Sequence, residues 1–220
     1  MKLFLALLLA CMSHLACANG LDALDAFIKT TKNGRAEFTQ TVTSPSSGSG
    51  VDMKAGKVKL SHGAFEFLRP NRFKFIYTKP FEQSIVADGQ TLWLYDVDLN
   101  QVTSRKQSAV MAGSPAALFA SAADLKSLQA EFNLQAAPDK NGLEWISAKP
   151  KTTGGKDSLL QSVKVGFKQT QQGIEIAALE MVDSFGQLSS IQFDKVQINT
   201  SLSAADFNFK VPAGVDVIKQ

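Results

Sequence analysis

The sequence is poor in the residues that carry chemistry. Cysteine and histidine occur only twice each in 220 residues, and Cys11, Cys17 and His14 all fall within the first twenty. Tryptophan and tyrosine also occur twice each, whereas phenylalanine occurs fifteen times. Neither sign of charge dominates, with 23 lysines and arginines against 20 carboxylates. That balance argues against a nucleic-acid binder, which needs a strongly basic surface. Beyond residue 20 no apolar run is long enough to cross a bilayer. A hydrophobic content of 45% and a charged content of 20% still provide for a globular core, so disorder and fibrous repeats are excluded.

The first eighteen residues read as a secretory signal. Lys2 supplies the positive n-region, residues 3–10 the apolar h-region, and Ala16-Cys17-Ala18 a small-x-small cleavage site that leaves Asn19 first. The h-region is too short for a membrane anchor. Leu8-Leu9-Ala10-Cys11 is a rival, because it loosely matches a lipobox whose Cys11 would be lipidated, although the h-region before it would be unusually short. Cleavage leaves residues 19–220 as one domain, with His62 as its one histidine, no cysteine and a net charge of +2. Disulfides, cysteine nucleophiles, iron–sulfur clusters and thiolate zinc sites then have no ligands. The expected compartment is the periplasm or the exterior.

Periodicity assigns the fold class. Leu21, Leu24, Phe27 and Ile28 form a helical stripe over 20–32, with Asn19 as N-cap and Asp22 complementing the helix dipole. After Gly34 the period becomes two. Ala36, Phe38 and Val42 alternate with polar residues, a turn-rich stretch follows at 44–50, and Lys57, Lys59 and His62 alternate with Val58 and Leu60 up to a break at Gly63. Phe65, Phe67 and Arg69 share one strand face; Phe73, Phe75 and Tyr77 share another, opposite Arg72 and Lys74, which parity sends to solvent. Asp88-Gly89 marks a hairpin between strands at 84–87 and 91–95, with a further strand at 100–106. Ser114-Pro115 opens one short helix and a capping box at Ser121 and Asp124 a second. Strands resume at 132–136, 143–149, 163–168, 174–182, 187–194 and 195–199, with glycines in the turns between them. The expectation is a mainly β protein with short α-helices: an unclosed antiparallel β-barrel of about eleven strands, its open side covered by the helices.

Catalytic motifs are missing. No nucleophile elbow, metal-binding H-E-x-x-H or phosphate-cradling glycine loop occurs, and His62 reads as an exposed strand-end residue. Asp22 with Asp25, and Asp96 with Asp98, are carboxylate pairs of the kind a glycosidase uses, but Asp88 and Asp96 read better as turn formers. Asp96-Val-Asp98-Leu-Asn100 alternates like a calcium loop without the remaining ligands. The residues 69–79 interleave basic and aromatic side chains, which strand parity explains as ordinary amphipathicity.

Arg69 stands out. Parity points its guanidinium at the apolar face of Phe65 and Phe67, where it needs acceptors such as the carbonyls at helix C-termini. Alternatively, Pro70 turns Arg69 out to solvent at the strand end, and the residues alone leave both readings open.

A larger pattern now emerges. Arg69-Pro70 with Phe73-Lys74-Phe75, Lys79-Pro80, the block Val86-Ala87-Asp88-Gly89-x2-Leu92-Trp93-x-Tyr95-Asp96, Ser114-Pro115-Ala116-Ala117, and the closing Phe207-x-Phe209 with Gly214-Val215-Asp216 resemble the LolA family of outer-membrane lipoprotein carriers across nearly the whole chain after residue 18. Phe75 stands where many members carry tryptophan, and the segment 43–55 is longer and richer in glycine and serine.

The resemblance implies a non-enzymatic periplasmic chaperone without a cofactor. It would bind the acyl chains of lipoproteins released by an inner-membrane LolCDE-type ABC transporter and deliver them to the outer-membrane receptor LolB, acting as a monomer. Arg69 would latch the lid, moving the balance toward the buried reading. The expected cavity residues are Phe65, Phe67, Phe73, Phe75, Leu92 and Leu94, and the expected apolar lid residues are Leu24, Phe27, Ile28, Leu118 and Phe119. A tethered LolB-like receptor and a generic periplasmic lipid binder are the alternatives.

Overall fold

In the computed structural model the described residues are 19–45, 56–111, 120, 123–151 and 160–220. Helix α1 (Gly20–Thr30) begins where its cap dictates. The Asn19 side chain accepts the N–H groups of Leu21 and Asp22, and the Asp22 carboxylate takes the N–H of Asn19, a reciprocal capping box. Its apolar stripe of Ala23, Leu24, Phe27 and Ile28 is buried.

Among the described residues twelve strands form one unclosed sheet: β1 (Asn33–Thr43), β2 (Val58–Leu68), β3 (Arg72–Lys79), β4 (Gln83–Ala87), β5 (Thr91–Asp96), β6 (Gln101–Lys106), β7 (Phe132–Lys140), β8 (Leu143–Pro150), β9 (Leu160–Thr170), β10 (Gly173–Asp183), β11 (Leu188–Ile198) and β12 (Asp216–Lys219). Their order is β12-β6-β5-β4-β3-β2-β1-β11-β10-β9-β8-β7, so β12 and β7 are the edges. All neighbours are antiparallel except β12, which pairs in parallel with β6. Short helices α2 (Gln107–Met111) and α3 (Leu125–Glu131) lie between β6 and β7.

Several local expectations change. β2 continues through Gly63, although its register with β3 shifts between His62 and Gly63, and a Cβ at Gly63 would meet the Ile76 carbonyl oxygen at 2.1 Å and the Phe38 ring at 2.7 Å. Glycine is required for close approach, not for a turn. The segments 187–194 and 195–199 form a single strand, β11, in which a bulge against Arg35 and Glu37 absorbs Lys195 at φ 52°. Asp124, not Ser121, caps α3, accepting from the Ser127 N–H at 2.7 Å. Strand β12 and helix α2 carry too few residues to show a period. The Ser114-Pro115 helix, the signal peptide and Gly154-Gly155 lie outside the described residues.

The sheet has two covered faces. Its inner face carries Phe38, Phe65, Phe67, Phe73, Phe167, Leu179, Ile191 and Phe193, which pack with α1 into the main core. The Phe27 ring lies 5.9 Å from that of Phe67 on β2 and 5.7 Å from that of Phe167 on β9, strands four positions apart, so the face wraps the helix. On the outer face Val86, Val102 and Phe207 are fully buried beneath the C-terminal segment, and Phe209 stacks on Trp93 at 5.3 Å.

That outer cover corrects the reading of Lys74 as solvated. Its ammonium pairs with Glu66 at 2.6 Å, donates to the Asp206 carbonyl at 3.2 Å, and stands 5.7 Å from the centre of the Phe207 ring. Arg72 is half-buried and donates to the Pro70 carbonyl. His62 is likewise half-buried within β2, its Nδ1 3.1 Å from Thr39 Oγ1. Parity assigned the faces of Arg72 and Lys74 correctly, but His62 shares the face of Val58 and Leu60 and not that of Lys57 and Lys59, and parity gave no information on what covers each face.

Candidate functional site

The aromatic row on β2 and β3 is the chemically distinctive region. Phe65 and Phe75, directly opposite across the two strands, have ring centres 4.5 Å apart. Phe38 meets Phe75 and Tyr77 edge-on at 5.5 and 5.0 Å, and Phe193 lies 5.3 Å from Phe65. Such offset and edge contacts suit the aromatic quadrupole and add roughly 0.5–1.5 kcal/mol per pair beyond burial. Burial pushes the Tyr77 phenol up to about 12, so it is neutral.

Phe65, Phe67 and Phe73 are buried, and Phe75 and Leu92 are half-buried against the same core. Leu94 is half-buried on the same face, where register places it opposite Ile85 and two residues beyond Leu92. Leu24, Phe27 and Ile28 come from α1 to meet this face. Leu118 and Phe119 lie outside the described residues. Phe38, which the alternation after Gly34 places on an apolar face, and Phe193, whose face the sequence reading did not assign, also belong to the cluster. The cleft between Phe27, Phe65, Phe67, Ile176, Phe193 and Ile198 is all but closed, with a cavity volume of about 10 Å³. Its walls are apolar, and α1 fills most of what lies between them.

Arg69 is half-buried at the foot of this row. Its backbone N–H donates to the Lys32 carbonyl at 2.9 Å, and its guanidinium carbon lies 5.1 Å from the centre of the Phe27 ring. A cation over an aromatic face gains about 0.5–2 kcal/mol, more as water is excluded. Burial draws the guanidinium down to about 10, which leaves it cationic at neutral pH. Arg69 therefore ties β2 to α1.

The adjoining turn reaches the other helical elements. Asn71, at φ 64°, donates its N–H to the Ala120 carbonyl at 2.7 Å, and its own carbonyl accepts from the Gln107 side-chain amide at 2.6 Å. The Gln107 side-chain oxygen accepts the Gly89 N–H at 2.9 Å, so this buried amide is used at both ends. Sequence reading missed Asn71 and Gln107 because their partners are remote along the chain.

Asp88 holds the hairpin that supplies Gly89. Burial alone would raise its carboxyl pKa, but N–H donors from Thr91, Trp93 and Gln90, with the nearby Arg72, hold it below the usual carboxylate value. Among the described residues no cluster of three metal-ligating side chains occurs, and no helix is long and apolar enough to cross a membrane.

The profile of the family described as "Outer membrane lipoprotein carrier protein LolA" matches residues 29–210. The outer-membrane lipoprotein carrier protein of Albidiferax ferrireducens is 56% identical over 220 residues, covering 100% of both chains. Its counterpart in Methylibium petroleiphilum is 48% identical over 205 residues, covering 93% of this chain and 92% of that one. Among solved structures, an uncharacterized conserved protein from Thermus thermophilus superposes with a TM-score of 0.51 at 11% identity, over 91% of this chain and 97% of that one, a likeness of fold alone. The chain belongs to the LolA family of outer-membrane lipoprotein carrier proteins, non-catalytic chaperones of the periplasm.

Proposed function

We propose that the aromatic inner face binds the acyl chains of a lipoprotein, with α1 and the segment between β6 and β7 acting as a lid that yields to them. In this cycle the cargo comes from a LolCDE-type ABC transporter in the inner membrane and passes to LolB at the outer membrane. The observation that carries the reading is the position of Phe27, whose ring fills the space between Phe67 and Phe167 and supports Arg69. An acyl chain entering that space displaces contacts that already exist.

The energetics require such a competitor. Each acyl CH2 removed from water contributes about 0.8 kcal/mol, so two or three chains sum to tens of kcal/mol before costs, past the roughly −20 kcal/mol limit of non-covalent affinity. A carrier that retained all of it would not release its cargo. Separating α1 from the aromatic face costs the burial of three large apolar side chains, about 1.5–3 kcal/mol each, together with the Arg69 contacts. The closed form thereby weakens net binding and drives release.

Mass spectrometry of the protein isolated from periplasm tests this reading. A diacylated or triacylated protein in stoichiometric complex is expected. Free fatty acid or phospholipid alone would instead identify a generic lipid binder, and a lipidated Cys11 would identify a tethered receptor.

A further inference from the structure

A groove of about 610 Å³ opens where the β4–β5 hairpin, the end of β6, the start of α2 and strand β12 meet. Its lining carries three cations, Arg105, Lys106 and Lys219, and three hydroxyls, Thr91, Ser104 and Ser108. Among the described residues a glycine and two glutamines complete it, and no carboxylate, aliphatic or aromatic side chain lines it. The register explains the convergence. Ser104 lies opposite Trp93 on β5 and beside Lys219 on β12, and Thr91 lies opposite Lys106. Ladder partners, and residues two apart on a strand, share a face. Thr91, Ser104, Lys106 and Lys219 therefore all stand on the outer face of the sheet, that of Trp93. Residues two apart on a strand are separated by about 7 Å and adjacent strands by about 4.8 Å, which puts the Cα atoms of Lys106 and Lys219 about 8 Å apart. Ammonium groups on stems of that length reach a single anion between them.

None of these six side chains is engaged. Among the described residues they form no hydrogen bond and no ion pair, whereas Lys29, Lys74, Lys140 and Lys195 each hold a carboxylate. Asp88, on the adjoining hairpin, is already taken by the N–H groups of Gln90 and Thr91 and by the Trp93 indole. Ser104 is buried even so, at the floor of the groove. Three like charges gathered in one concavity repel one another, and a bound anion removes that repulsion.

We propose that this groove binds a phosphoglycerol unit, with its phosphate oxygens on Arg105, Lys106 and Lys219 and its glycerol hydroxyls on Thr91, Ser104 and Ser108. Three cations, one of them a guanidinium fork, suit the several oxygens of a phosphate better than a lone carboxylate. The volume exceeds that of a bare inorganic ion and matches a small organic ligand. A wall without apolar side chains gives a nucleotide base or an acyl chain nothing to pack on, so the organic part is a polyol. The same unit exists free, as glycerol 3-phosphate, and esterified in a lipid head group. Gln107, between Lys106 and Ser108, holds Gly89 and Asn71. A ligand that bridges the hairpin, α2 and β12 thus also secures the root of the segment between β6 and β7. The proposal does not depend on the acyl-chain reading above.

Isothermal titration of the protein isolated from periplasm, at fixed ionic strength, tests it. Glycerol 3-phosphate is expected to bind saturably and more tightly than inorganic phosphate, and glycerol not to bind. Lys106→Gln combined with Lys219→Gln weakens binding about tenfold or more. Lys126→Gln combined with Lys164→Gln, exposed lysines elsewhere, makes the same change in net charge and leaves binding intact. Ser104→Ala removes the advantage of glycerol 3-phosphate over inorganic phosphate. Dihexanoyl phosphatidylglycerol, below its micellar concentration, presents the unit as a diester. Binding of it that the Lys106, Lys219 pair of substitutions weakens equally assigns the groove to a lipid head group; binding of glycerol 3-phosphate alone assigns it to the free ester. No saturable binding of either ester, or equal weakening by both pairs of lysine substitutions, overturns the site.

Discussion

The side-chain amide of Gln107 donates to the carbonyl of Asn71 at 2.6 Å, while the N–H of Asn71 holds the carbonyl of Ala120 at 2.7 Å. One turn residue therefore binds both ends of the segment that joins the sheet to the lid. Arg69, two residues earlier, binds α1 through Phe27. The turn of residues 69–71 thus anchors α1, the start of α2 and the chain at Ala120.

Gln107→Leu keeps the volume of this buried side chain and removes both of its hydrogen bonds. The Gly89 N–H and the Asn71 carbonyl lose their partner, a cost of about 2–4 kcal/mol for two buried groups. Urea unfolding measures that loss. Hydrogen exchange is expected to quicken at Asn71 and Gly89 more than at the β9–β10 core, and uniform acceleration would show that Gln107 has no special hold on the lid.

Arg69→Leu removes the cation over Phe27 and weakens the closed form by about 0.5–2 kcal/mol from that contact alone. Acyl ligand affinity is expected to rise roughly two- to thirtyfold, and onward transfer to outer membranes to slow. Transfer of cargo at the wild-type rate removes Arg69 from the mechanism.

Asp88 makes stability depend on pH in a defined direction. Its pKa is depressed in the folded protein, so its contribution is complete above the unfolded value near 4 and is lost as pH falls through the lower folded value. Asp88→Asn places an amide against the Trp93 indole N–H and costs about 1–3 kcal/mol at neutral pH. The gap between wild type and variant in urea midpoint should narrow on acidification; a gap independent of pH contradicts the assignment.

Gly63→Ala forces a methyl group into the Ile76 carbonyl and the Phe38 ring. Neither can yield without parting β2 from β3 or tilting Phe38, so a loss of about 1–3 kcal/mol is expected. Phe38 also packs on Phe75 and Tyr77, and near-ultraviolet circular dichroism should register the tilt.

Much of this architecture is legible locally. The Asn19 cap, the α1 stripe and the alternation through Phe65, Phe67, Phe73 and Phe75 follow from periods of 3.6 and 2 and from short-range hydrogen bonding, which every residue reports by itself. Legibility fails where distant chain segments meet. Lys74 looked solvated because nothing near it shows that residues 204–209 fold back over its strand.

The sequence by itself determined the mainly β class, the shared face of the aromatic side chains and the scarcity of cysteine and histidine, since these depend on residue type and parity. Tertiary structure alone decided that Arg69 meets Phe27, that Asn71 gathers Gln107 and Ala120, and that Lys219 joins Arg105 and Lys106 at one groove. Those relationships depend on strand order and register across the whole sheet, which no local stretch of chain encodes.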